Sequence, residues 1–86
     1  MRRHSGAWMK QPVDDRILEA LADSSMELTP TVIARNISYT RRYVNTRLGA
    51  LVDYGFVDRV ERGWYAISDD GRAYLAGDLD ASDMSG

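Results

Sequence analysis

Cysteine is absent from the 86 residues, and histidine occurs once, at His4. Disulfides, thiolate metal sites and cysteine nucleophiles are therefore excluded, and so is a zinc site built from histidines. No apolar run approaches the ~20 residues needed to span a bilayer. The opening stretch, Met1 to Lys10, is basic but lacks the apolar core of a signal peptide. A soluble cytoplasmic protein without membrane contact is the expectation. There is no P-loop, no GxGxxG and no Ser/His or Cys/His catalytic constellation. Two adjacent carboxylate pairs, Asp14–Asp15 and Asp69–Asp70, fall at expected helix N-termini. The helix dipole favours negative charge there, so they are read as helix stabilisers rather than as acid–base or Mg²⁺ groups. Neither an enzyme nor a cofactor is expected.

Lysine is nearly absent as well: ten of the eleven basic residues are arginine. An acidic, lysine-poor composition suggests a salt-loving host. The net charge is −2, but it is unevenly spread. Residues 1–28 carry net −1, residues 29–65 net +3 and residues 66–86 net −4. A basic island thus lies inside an acidic chain, a sign of polyanion binding that the overall charge conceals.

At this length one domain is expected. Pro12 to Ser24 reads as a first helix with a stripe of Val13, Ile17, Leu18 and Leu21. Met26 to Leu28 reads as a short connecting strand. Thr29 to Ile37 reads as a second helix, with Thr29 as N-cap, Pro30 at the first helical position and Val32, Ile33 and Ile37 facing inward. A third helix is expected over Thr40 to Tyr54, stopped by Gly55, with Val44, Leu48 and Leu51 on its inner face. Residues 56–68 read as a β-hairpin turning at Arg62–Gly63. Residues 69–76 read as a last helix around Ala73, Tyr74 and Leu75, ended by Gly77. Residues 1–11 are expected to be an N-terminal arm, 12–77 the folded domain and 78–86 an acidic tail. That tail is either frayed or a short extra turn around Leu79 to Met84. The order gives an α+β fold of winged helix-turn-helix type: a three-helix core, a two-stranded hairpin wing and a C-terminal helix.

The stretches "DDRILEAL", "LTPTVIARNI" and "YTRRYVNTRLGALVDYGFVDRVERGWYAISDDGRAYLAGDLD" resemble the small haloarchaeal winged-helix regulators of the phage phi-H repressor-like group. The likeness runs from about Trp8 to Asp80. Its more specific part is the combination of "TPTVIARNI" with "GRAYLAGDLD". The resemblance implies sequence-specific binding of double-stranded DNA and transcriptional regulation, usually as a dimer.

The residues themselves point the same way. With Val44 at zero and ~100° per residue, Leu48 and Leu51 lie within about 40° of it. Arg42 and Thr46 lie opposite, Arg41 and Asn45 share one flank, and Arg47 takes the other. The N-terminal part of such a helix enters the major groove, where Arg suits guanine and Asn suits adenine. Two arginines in a first turn oppose the helix dipole by about 0.3–1 kcal/mol each, which makes sense if DNA lies there. A solvated polar face is the alternative. Gly49 leaves the outer face open to close approach. Tyr39 is either a phosphate contact or a packed turn residue. Arg35 is either a backbone contact or a plain exposed arginine. Arg62 at the hairpin tip suits a minor groove, and Arg59 suits a phosphate. Tyr43 and Tyr54 are expected to be half-buried, and one of Trp64 and Tyr65 to face the core.

The candidate DNA-contact set is thus Arg35, Tyr39, Thr40, Arg41, Arg42, Asn45, Thr46, Arg47, Arg59 and Arg62. Trp8 is expected to pack on the last helix or against a second subunit, and Arg2 and Arg3 to form a basic arm or none. The leading reading is a dimeric transcriptional repressor that places helix 40–54 in the major groove. The rival is a winged helix used for protein–protein contact without direct DNA binding.

Overall fold

The computed structural model describes residues 4–24 and 26–83. Arg2, Arg3 and Met84 lie outside the described residues. The order is α1 (Val13–Ser24), α2 (Pro30–Ile37), α3 (Arg41–Asp53), β1 (Val57–Glu61), β2 (Trp64–Ile67), α4 (Asp69–Ala76) and a 3-10 turn, Ala81–Asp83. Each helix after α1 begins at a hydroxyl. Thr29, Thr40 and Ser68 accept hydrogen bonds from the backbone N–H groups of Val32, Tyr43 and Gly71, at 3.4, 3.2 and 3.0 Å. Each cap satisfies a donor that the helix itself cannot.

The turn joining α2 to α3 is three residues long. Ser38 adopts a left-handed conformation, φ 62°, and the Tyr39 N–H donates back to the Ala34 carbonyl at 3.1 Å. That tight closure sets α3 across α2. At its other end α3 stops where Gly55 takes φ 84° and the Phe56 N–H donates to the Leu51 carbonyl at 2.9 Å. The chain then enters the antiparallel hairpin β1–β2, whose register breaks between Arg59 and Glu61. Val60, at that break, is exposed, which is why Val57 and Val60 do not alternate in the sequence.

The core lies between α1, α2, α3 and the hairpin. Ile17, Leu18, Leu21, Ile33, Val44, Leu48, Leu51, Phe56 and Tyr74 are fully buried. Phe56 and Tyr74 stack with ring centroids 5.2 Å apart. Tyr65 faces the core and Trp64 the solvent, as strand alternation demands. The expected strand at Met26–Leu28 contracts to one bridge, Leu28 with Tyr65, closed by hydrogen bonds of 2.8 and 2.9 Å.

Several expectations change. Val32 is 43% exposed, because the inner positions of α2 are Ile33, Ala34 and Ile37, one face of its two turns. Tyr43 is exposed rather than half-buried. Residues 4–11 are not set apart as an arm, nor residues 78–83 as a tail. Met9 is buried, and the Trp8 ring stacks on Tyr54 with centroids 3.9 Å apart. The Trp8 indole N–H donates to the Ala81 carbonyl at 2.9 Å, and the Ala81 N–H donates to the His4 carbonyl at 2.8 Å. The two ends of the described chain therefore clasp each other, and Trp8 packs within its own chain.

Candidate nucleic-acid interface

The caps of α2 and α3 lie close to the hairpin turn. Thr29, Pro30, Thr31, Arg41, Arg42, Asn45 and Gly63 line one open groove of about 550 Å³. Helix-turn-helix geometry brings the start of α3 against the start of α2, and the wing folds back so that its tip closes the third side. All of Arg41, Arg42, Asn45 and Thr46 are exposed. Among the described residues, Arg47–Asp14 and Arg16–Glu19 form ion pairs, and neither Arg41 nor Arg42 does. Two cations and a carboxamide are thus presented on the first turns of α3 without an acidic residue in the first turn to neutralise them.

The remaining candidates divide. Thr40 accepts from the Tyr43 N–H, so its oxygen holds the helix start, and its hydroxyl proton stays available. The Thr46 hydroxyl donates to the Arg42 carbonyl at 3.1 Å, one turn back, which leaves its lone pairs outward. Arg62 is exposed beside Gly63 at the wing tip. Arg59 is exposed too, but its guanidinium lies 5.6 Å from the Tyr65 ring centroid, a cation–π contact that holds it against the sheet. Arg35 lies exposed in the last turn of α2, where a cation also suits the helix dipole. Tyr39 is half-buried, with its ring 6.0 Å from that of Tyr43.

Arg47 does not belong to this surface. Its side chain turns inward and is buried, 9% exposed. Its Nε donates to Asp14 Oδ1 at 2.9 Å and its Nη2 to Asp14 Oδ2 at 2.7 Å. A third bond runs from Nη2 to the Trp8 carbonyl at 3.3 Å. The hydrogen bond to Asp14 raises the Arg47 pKa above its ordinary value, against the opposing effect of burial. Asp14 is fully buried and also accepts from the Lys10 N–H at 3.0 Å. The dipole reading of Asp14 is therefore incomplete, since this carboxylate is the counter-ion of an arginine 33 residues away. On the wheel Arg47 and Arg41 lie equally far from Val44, ~60° to either side, so the angle alone does not separate the buried arginine from the exposed one. Tyr43 lies ~100° from Val44, off the inner face, and is 40% exposed beside Arg42.

Three helices with a tight α2–α3 turn, a wing closing onto the start of α3 and an arginine-bearing first turn together define a winged helix-turn-helix protein. Among the described residues, no helix is long and apolar enough to cross a membrane. The chain belongs to the winged helix-turn-helix phage repressor family, which matches residues 1–85. It is similar to the repressor protein of Halobacterium phage phiH, 37% identical over 81 residues that cover 90% of each chain. It is also similar to the crystal structure of the PhiH1 repressor-like protein from Haloarcula marismortui. That likeness has a TM-score of 0.88 and 31% identity, and covers 98% of this chain and 96% of the other. The family is one of DNA-binding repressors, not of enzymes, and its haloarchaeal members match the resemblance drawn from the sequence.

Proposed function

We propose that the chain is a sequence-specific repressor of transcription that reads double-stranded DNA with the first two turns of α3. Arg42 and Asn45 contact base edges in the major groove, as bidentate partners of guanine and adenine. Arg41 and Thr46 flank them, with Arg41 as a phosphate contact. Arg62, at the tip of the wing, reaches the neighbouring minor groove, and Tyr39, Thr40, Arg35 and Arg59 serve the backbone. Occupation of a promoter is itself the repressing act. One observation carries this reading: Arg41, Arg42 and Asn45 share a single groove with the wing tip, and among the described residues neither arginine has an ion-pair partner.

The longest dimension of the molecule is 29 Å, less than the ~34 Å that separates successive major-groove faces. One copy therefore reads one half-site, and the proposal includes a homodimer on a two-fold-symmetric operator. The test is selection of bound duplexes from a random pool. A palindromic motif with half-sites about one helical turn apart is the expected outcome. Failure to enrich any sequence at any salt concentration would instead support a winged helix that docks on protein.

A further inference from the structure

The inner face of α3 is aliphatic except at one position. Val44, Leu48 and Leu51 are fully buried among the apolar side chains of α1 and α2, and Arg47 stands between them. Aliphatic packing is non-directional, so it resists separation of the helices more than rotation of one about its own axis. Arg47 supplies the missing direction. Its two bonds to Asp14 are the parallel pair of a bidentate ion pair, 2.9 and 2.7 Å long. The third, to the Trp8 carbonyl, approaches from the N-terminal segment. That segment is itself fixed, by the Lys10 N–H on Asp14 and by Trp8 stacked flat on Tyr54, the residue that ends α3.

A buried ion pair is a poor way to gain stability, since a well-packed apolar pair of similar volume does as well or better. What it adds is geometry. Arg47 and Arg42 are five residues apart, so they project about 140° from one another around the helix. The inward anchor thus sets the heading of the outward side chain. A side chain tip lies ~5–6 Å from the helix axis, and a roll of about 20° moves it by roughly 2 Å. A hydrogen bond holds only over ~0.5 Å of donor–acceptor distance, so such a roll removes a base contact while leaving a phosphate contact to readjust.

We propose that the Asp14–Arg47 pair, braced by the Trp8 carbonyl, is a positioning device that fixes the roll of α3 for base reading. The inference rests on the DNA-reading role proposed above. Because the pair is buried, it is little weakened by salt, unlike the exposed arginines that it aims.

The test uses two variants of the full chain, Arg47→Lys and the double replacement Asp14→Leu with Arg47→Met. Arg47→Lys keeps the charge but loses the planar two-point grip. The double variant replaces the pair by apolar groups and leaves no buried charge unpaired. Each is titrated against the operator recovered from the random pool and against a random-sequence duplex, with the folded fraction followed by circular dichroism. The expected result is an operator-to-random affinity ratio reduced by about tenfold or more, the equivalent of one base contact, with random-duplex affinity unchanged. Either variant alone gives this reading if the other does not fold. A ratio equal to that of the parent, or a parallel loss on both duplexes that follows the folded fraction, overturns the proposal. A parent chain that selects no operator overturns the DNA-reading role instead, and that result is seen before any variant is made.

Discussion

Glycine is among the poorest helix formers, yet Gly71 lies within the first turn of α4. A methyl group there would collide with the Phe56 carbonyl oxygen and lie 2.8 Å from the Ile67 side chain. The missing side chain lets α4 lie directly on the strand end that leaves α3, and the Ser68 hydroxyl locks the same corner by donating to the Gly55 carbonyl at 2.6 Å. Gly71→Ala is expected to destabilise the fold by about 1–3 kcal/mol through overpacking, less up to ~1 kcal/mol from better helix propensity. Because the nearest atom belongs to the backbone, relief is limited and the clash decides the sign. Urea denaturation checks this, and a variant as stable as the parent would refute it. Single residues were the least legible part of the sequence. "DDGRAYLA" shows a helix but not the carbonyl against which its glycine is pressed. Arg47 reads as one more arginine in a basic helix, since nothing local reveals a partner 33 residues earlier. The wheel angle does not mark it either, since exposed Arg41 lies as far from Val44 on the other side.

Elements were legible where punctuation was strong. Thr29–Pro30, Thr40, Gly55, Arg62–Gly63 and Ser68 mark helix starts, a helix stop and a hairpin by mechanisms that act within a few residues, and the structure uses each of them in that way. The N-terminal segment has no such markers. "GAWM" has neither helical nor strand period, so its membership of the core depends on contacts that no window of sequence contains. Trp8 reaches Tyr54, Phe56 and Ala81 at once. Trp8→Ala is therefore expected to cost about 2–3 kcal/mol, below the ~3–5 of a fully buried tryptophan because this one is half-buried. A melting curve that does not move would show that the segment is an arm after all.

At the scale of the whole molecule, the opposition of charges has a structural sense. The basic island of residues 29–65 holds six arginines. With Arg47 withdrawn into the core, Arg35, Arg41, Arg42, Arg59 and Arg62 remain exposed on α2, α3 and the wing. The acidic residues concentrate in the first turns of α1 and α4 and beyond α4. On the proposed reading few exposed cations face DNA, so few counterions are released, and base contacts together with the proposed dimer symmetry carry more of the affinity than in a strongly basic protein. Charge sums showed the island from sequence alone, but not which of its arginines reach the surface.

The central claim is that the start of α3 reads DNA. The direct measurement is operator affinity of the parent and of Arg42→Ala over a range of salt concentrations. The account predicts a parent slope of log K against log salt clearly shallower than about −10. It also predicts a loss of about 1–3 kcal/mol for Arg42→Ala at every salt concentration, with the slope little changed, as removal of a base contact requires. An Arg42→Ala protein that binds the operator as tightly as the parent would contradict it.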